Sequence, residues 1–135
     1  MPNADERALK LRELGQALLA NSGSGSGSGS DSDSFDGLAG NMVKQAGGSA
    51  VLLVKLILQH LPGFRDACVY KGRLVHLYKR AQILVADVWA AYGRKTAPSK
   101  EGDFYYFTDI GALTMFADYR VPQLLRVLDI MKYVG

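Results

Sequence analysis

Apolar positions return every three or four residues over most of this chain and cluster in short paired runs at only one place. Ala8, Leu11, Leu14 and Leu18 share helical spacing, and Asn3 with Glu6 has the reciprocal spacing of a capping box. The pattern predicts a helix from Asp5 to Ala20. A short helix is expected from Phe35 to Gln45, ended by Gly47 and Gly48. Ser49 can cap a third helix from Ala50 to Leu61, which Pro62 stops. Its apolar residues lie all round the axis, the signature of a central helix. Ala81, Leu84, Val85, Val88 and Tyr92 form an inward stripe over Lys79 to Tyr92, closed by Gly93. The exception is "ACVYKGRLVHLY", where two runs rich in Val, Leu and Tyr flank Lys71-Gly72. It reads as a β-hairpin with Gly72 supplying the positive φ of a tight turn.

Towards the C-terminus, Asp109 is expected to cap a helix carrying Ile110, Leu113 and Phe116 or Ala117 inward. Val121 precedes Pro122 and is pushed out of α geometry, while Pro122 suits the first turn of a last helix. Leu124, Leu125, Leu128 and Met131 would be its buried face. Asp118, Tyr119 and Arg120 then fall in the break between two helices, where side chains can converge on a cleft. Two stretches lack a pattern. "RKTAPSKEGD" reads as a polar surface loop, and "NSGSGSGSGSDSDS" has nothing apolar to offset the entropy of ordering it. The expected organisation is an N-terminal helix in residues 1–21, a disordered Gly/Ser-rich insertion at 22–34 and a helical core at 35–135. The fold class is mainly α, a helical bundle with one small hairpin.

Composition narrows the setting. The chain has 135 residues, 48% hydrophobic and 21% charged, as expected of one globular domain. A net charge of +3 suits an anionic small ligand without requiring one. Cys68 is the only cysteine, so no intrachain disulfide can form, and His60 and His76 are the only histidines. The N-terminus lacks the basic and apolar regions of a signal peptide. "AVLLVKLILQHL" is interrupted by Lys55 and too short to span a bilayer. These features lead us to expect a cytoplasmic protein, with the nucleus also open, and no membrane partner.

Asp118 is the most informative acid. It lies just upstream of a helix whose N-terminal amides favour a carboxylate, and in a cleft it could hold a developing positive charge or activate water. It could equally cap the Pro122 helix or pair with Arg120. Lys79 and Arg80 open a helix where the dipole disfavours cations, which hints at an anion nearby, although solvated charges at a turn explain them too. Asp87 sits in the apolar run "ILVADVWAA" and needs a partner if buried. Phe116, Tyr119, Tyr78 and Trp89 could stack on a base, but aromatics at such spacing usually fill cores. His76 reads as a surface histidine. There is no nucleotide-binding Gly-rich loop and no nucleophilic triad.

Three segments, "FRDACVYKGRLVHLYKR", "YKRAQILVADVW" and "DIGALTMFADYRVPQLL", together resemble the queuosine salvage protein family, as does the opening "MPNADERALKLRELGQALL". Members of that family are queuosine 5′-phosphate N-glycosylase/hydrolases. The resemblance implies cleavage of the N-glycosidic bond, releasing the 7-deazaguanine base queuine for tRNA modification. It further implies a helical fold similar to helix-hairpin-helix DNA glycosylases, no metal and no other cofactor, and a small-molecule nucleotide as partner. Carried onto this chain, the acid of "FADYR" is Asp118, expected to be catalytic. Lys79 of "YKRAQ", with Phe116, Tyr119 and Arg120, would bind substrate. Family members are more than twice as long and the match falls in their middle, so the core is expected to be incomplete relative to them. A non-catalytic fragment and a nucleotide- or RNA-binding helical module stay open as alternatives. Direct nucleic-acid contact is supported only by the basic balance and the clusters Lys71/Arg73 and Lys79-Arg80, and is not expected.

Overall fold

The computed structural model describes residues 3–20 and 37–134. Five helices and one hairpin follow in order: α1 (Ala4–Ala20), α2 (Leu38–Ala46), α3 (Ala50–His60), β1 (Ala67–Tyr70), β2 (Arg73–His76), α4 (Lys79–Ala91) and α5 (Arg120–Val127). Single 3-10 turns occupy Pro62–Phe64 and Ile110–Ala112. The Gly/Ser tract expected at 22–34, and the predicted helix start at Phe35, lie outside the described residues.

The core forms where small side chains let helices approach. Ala50 on α3 and Ala81 on α4 are fully buried, and around them close Leu38, Met42, Val43 and Ala46 of α2, Leu53 and Ile57 of α3, and Val85 of α4. α3 is central, touching α2, α4 and both 3-10 turns. It is not enclosed on every side, however: Leu52 stays 40% exposed. α1 packs through Leu14 and Ala17 and leaves Leu11 and Leu19 in solvent.

Helix ends follow local chemistry. Gly47 takes the left-handed conformation that closes α2, its N–H bonding the Lys44 carbonyl. Gly48 follows at φ +85, and a Cβ there would lie 2.4 Å from the Tyr106 ring. Its carbonyl accepts from the Thr108 N–H at 2.9 Å. That close approach seats the 104–108 segment on the α2–α3 turn, and Phe107 enters the core fully buried. The polar loop at 94–103 is mostly exposed, as expected, but it is tethered. The Lys95 carbonyl receives the Trp89 indole N–H and the Phe107 N–H, and the Lys95 ammonium bonds Asp103 at 2.7 Å.

The hairpin is as read. Tyr70 pairs with Arg73 across Lys71 and Gly72, both at positive φ, the geometry of a two-residue primed turn. Every residue of both strands is exposed.

The C-terminal stretch departs from expectation. Asp109 opens only the 3-10 turn Ile110–Ala112, and residues 113–118 run on without regular structure instead of as a helix. Asp109 caps a different helix. Its carboxylate accepts from the Ser49 hydroxyl at 2.7 Å, the Ala50 N–H at 2.5 Å and the Val51 N–H at 3.3 Å, all at the start of α3. Ser49 keeps its predicted role as well, accepting from the Leu52 N–H. Val121 is not expelled from α geometry: it is the second residue of α5 and Pro122 the third, within the turn whose N–H groups have no intrahelical acceptor. The expected buried face of α5 is not buried either. Leu124 and Leu128 are 58% and 56% exposed, while Leu125 and Met131 are half-buried. Asp87 is exposed, so it needs no buried partner.

Candidate functional site

The site starts where the hairpin hands over to α4. Tyr78, the residue before the helix, adopts φ 49 and offers no side-chain cap. Asp66, just ahead of β1, takes over. Its backbone carbonyl accepts from the N–H groups of Leu77 and Tyr78, and its Oδ2 from the Lys79 N–H at 2.9 Å. Its Oδ1 is buried without a hydrogen-bond partner among the described residues. One residue thus folds the hairpin exit back through its backbone carbonyl and sets the first residue of α4 through its carboxylate.

The 113–118 segment lies against the same end of α4. Gln82, one turn beyond Lys79 and buried, accepts through Oε1 from the Thr114 N–H at 2.8 Å and the Thr114 hydroxyl at 3.0 Å. Its Nε2 donates to the Leu77 carbonyl at 3.3 Å. Four residues further, the Asp118 N–H turns back onto the Phe116 carbonyl at 2.7 Å. The Lys79 ammonium donates to Asp118 Oδ2, and the Arg120 backbone N–H to Oδ1 at 2.9 Å.

Two sequence alternatives for Asp118 therefore merge. It does satisfy the first N–H of α5, and it does form an ion pair, but its side-chain partner is Lys79. The cation that looked misplaced at the start of α4 has Asp118 as its anion. The hydrogen bond from Lys79, then that from the Arg120 backbone, holds the Asp118 carboxyl below the usual carboxylate range against the opposing effect of burial. The group is ionised at neutral pH. Its side chain keeps 31% of its surface and that of Lys79 keeps 29%, so the pair is open to solvent on one side.

The remaining candidates are distributed unevenly. Phe116 is half-buried and touches the acid through its carbonyl. Tyr119 is 63% exposed, with the Arg120 guanidinium 5.1 Å above its ring and 3.4 Å from the Gln123 amide oxygen. Arg80 is exposed and lines a cavity of about 510 Å³ between α1 and the Pro62–Phe64 turn, which none of Lys79, Phe116, Asp118, Tyr119 or Arg120 lines. Trp89 is committed to the Lys95 carbonyl, and His76 stacks on Tyr78 at 5.0 Å. Among the described residues no group of three or more His, Cys, Asp or Glu side chains is placed to hold a metal ion, and no helix is long and apolar enough to cross a membrane.

Two residues of this constellation escaped the sequence reading. Gln82 was detectable as a polar residue inside the inward stripe between Ala81 and Val85. Asp66 had a subtler signal: α4 begins behind a tyrosine, a poor cap, so its first N–H groups required an acceptor from elsewhere.

A sequence model described as queuosine salvage protein matches residues 1–135. The chain belongs to that family. A Dictyostelium discoideum protein named queuosine 5′-phosphate N-glycosylase/hydrolase is 40% identical over 134 residues, which are 98% of this chain and 35% of that protein. Proteins of the same name from Sphaerobacter thermophilus and Mus musculus are each 40% identical over 133 residues, covering 98% of this chain and 35% and 33% of those proteins. This chain spans about a third of the length of the curated relatives it matches. Lys79 and Asp118, the polar pair of the site, lie in two different segments of the sequence that carry the family resemblance.

Proposed function

We propose that this chain carries the catalytic carboxylate of a hydrolase that cleaves the N-glycosidic bond of queuosine 5′-phosphate, yielding queuine and ribose 5-phosphate. One observation carries the reading: the "YKRAQ" and "FADYR" segments meet in the ion pair of Lys79 with Asp118, which are 39 residues apart. The name of the relatives supports the substrate.

The chemistry suits an ionised acid. As the bond from the anomeric carbon to the base nitrogen lengthens, its electron pair leaves with the base and the sugar acquires oxocarbenium character. A carboxylate fixed beside that carbon stabilises the charge, and it does so best when a neighbour keeps it deprotonated. Lys79 is that neighbour. Water adds its oxygen to the anomeric carbon, oriented by the second Asp118 oxygen, and one of its protons passes to solvent as the base nitrogen gains one. With its carboxyl held low, Asp118 is a weak base, so its main work is electrostatic and orienting. Phe116 and Tyr119 offer aromatic faces for the deazapurine, and Arg120 with Lys79 offers positive charge for the 5′-phosphate. A relation to the helical core of helix-hairpin-helix DNA glycosylases and a cytoplasmic setting are part of the same proposal; the mainly helical architecture is the support for the first.

The test is incubation of the chain with queuosine 5′-phosphate and detection of free queuine by mass spectrometry. Release by the wild-type chain and its loss in Asp118→Asn support the reading; release at full rate in Asp118→Asn overturns the role of Asp118. If the chain binds the nucleotide without releasing base, the non-catalytic reading replaces it. That alternative has its own support in the exposed apolar face of α5. Binding of RNA that weakens steeply with salt would instead favour a nucleic-acid module.

A further inference from the structure

We propose that Gln82 is a positioning residue for the Asp118 carboxylate: its side-chain amide clasps Thr114 and so fixes the segment that delivers Asp118 to Lys79. This deepens the hydrolase reading and rests on it for its catalytic consequence, though not for its geometric one.

The segment from Leu113 to Asp118 has no strand partner and no helix of its own. An irregular stretch of this kind has many conformations of similar energy, and each would carry Asp118 to a different place. Its side-chain ties to α4 are two, both made to the first turn of that helix. Gln82 holds the front of the segment through two acceptor bonds to Thr114, and Lys79 holds its end through Asp118. The ties differ in kind. The Lys79–Asp118 pair is partly solvent-exposed and joined through a long flexible stem, so alone it defines position loosely. Gln82 is 9% exposed, sits between the core residues Ala81 and Val85, and is held at its other end by the Leu77 carbonyl. A buried amide with both functions engaged has one orientation. It also links the three pieces that meet here, since Leu77 leaves the hairpin, Gln82 belongs to α4 and Thr114 to the 113–118 segment.

Gln82→Met keeps the side-chain length and removes all three bonds. Thr114→Val removes one of them at an exposed position, and Thr114→Ser removes none. The direct readout is the titration of the Asp118 carboxyl followed by carbon NMR on the intact chain. Gln82→Met should move that titration upward towards the ordinary carboxylate range as the pair with Lys79 loosens, Thr114→Val should move it less, and Thr114→Ser should leave it in place. The Asp103 and Asp109 titrations serve as controls that the fold persists. Adding Thr114→Val to Gln82→Met should produce no further shift, because the clasp is already gone. An Asp118 titration unmoved by both Gln82→Met and Thr114→Val overturns the proposal, as does a shift of equal size at all three carboxylates. Where queuine release is measurable, Gln82→Met should lower kcat on the order of tenfold to a hundredfold, with a smaller rise in KM because Phe116 rides on the same segment. The NMR readout needs no turnover, so failure of the clasp and failure of the hydrolase reading give separate signatures.

Discussion

Asp109 and Asp118 lie nine residues apart in one stretch without α-helix, and each docks at the start of a helix. Asp109 reaches α3, where a hydroxyl and two backbone N–H groups surround it. Burial pushes its carboxyl up, but the bonds from Ser49, Ala50 and Val51 outweigh burial and leave it below the usual range. Asp118 reaches α4, where it meets the Lys79 side chain, and accepts one backbone N–H, that of Arg120 at the start of α5, with nearly a third of its surface open. The first arrangement uses the carboxylate to satisfy helix donors that nothing else satisfies. The second pairs it with a mobile ammonium that a ligand can share. A low carboxyl pKa is common to both and does not tell the helix-capping acid from the proposed catalytic one; the identity of the donors and the open side separate them.

Substituting the two acids separately is the most direct way to break this contrast. Asp118→Asn should cut queuine release by at least about 100-fold, the range for losing a catalytic proton-handling or charge-stabilising group, while thermal melting changes little. Asp109→Ala should do the reverse, lowering unfolding free energy by roughly 2 kcal/mol in urea titration, since it strips a cap from the central helix. If Asp109→Ala melts like wild type, the cap is not the structural device described. Acid sharpens the comparison further. Both carboxyls are lower in the folded chain than in the unfolded one, so their stabilisation is complete above the ordinary range and is lost as pH falls through the folded values. Asp103 behaves alike, lowered from 3.8 to about 2 by the Lys95 hydrogen bond first and the Ser99 N–H next. Unfolding midpoints should therefore drop between about pH 4 and pH 2, and Asp109→Asn should flatten its share of that slope. The smallest change is expected on α5. Val127 is 80% exposed, so Val127→Asp should alter stability by no more than about 0.5 kcal/mol while reducing binding of a hydrophobic dye. A larger cost would mean that the face is covered in solution.

Legibility in the sequence followed the range of the interaction. Ser49 and Gly47 act on residues within one turn, and both were readable from the sequence, as was the Lys71-Gly72 turn. Asp109 is legible as a cap, but which helix it caps is not, because the Ser49 hydroxyl it meets is 60 residues away. The helix expected after it gave way to an irregular segment once the Gln82 amide, 32 residues upstream, took the Thr114 N–H. The misreading of α5 has another cause. Leu124 and Leu128 recur at helical spacing, which establishes an apolar face but not what lies against it. In the sequence Lys79 stands out as a cation at an unfavourable helix end and Asp118 as an acid in a break, and no local pattern links the two.

Periodicity, caps and turn chemistry were enough to set the helices α2, α3 and α4, the hairpin and the residue types of the site, because those depend on dihedral preferences and on partners a few positions away. Packing alone decided that Phe107 fills the core, that Asp109 serves α3, and that Asp118 stands against Lys79 with Gln82 behind it. Each of those outcomes depends on which distant donor reaches a given acceptor first and keeps it out of water, a competition that only the folded chain can resolve.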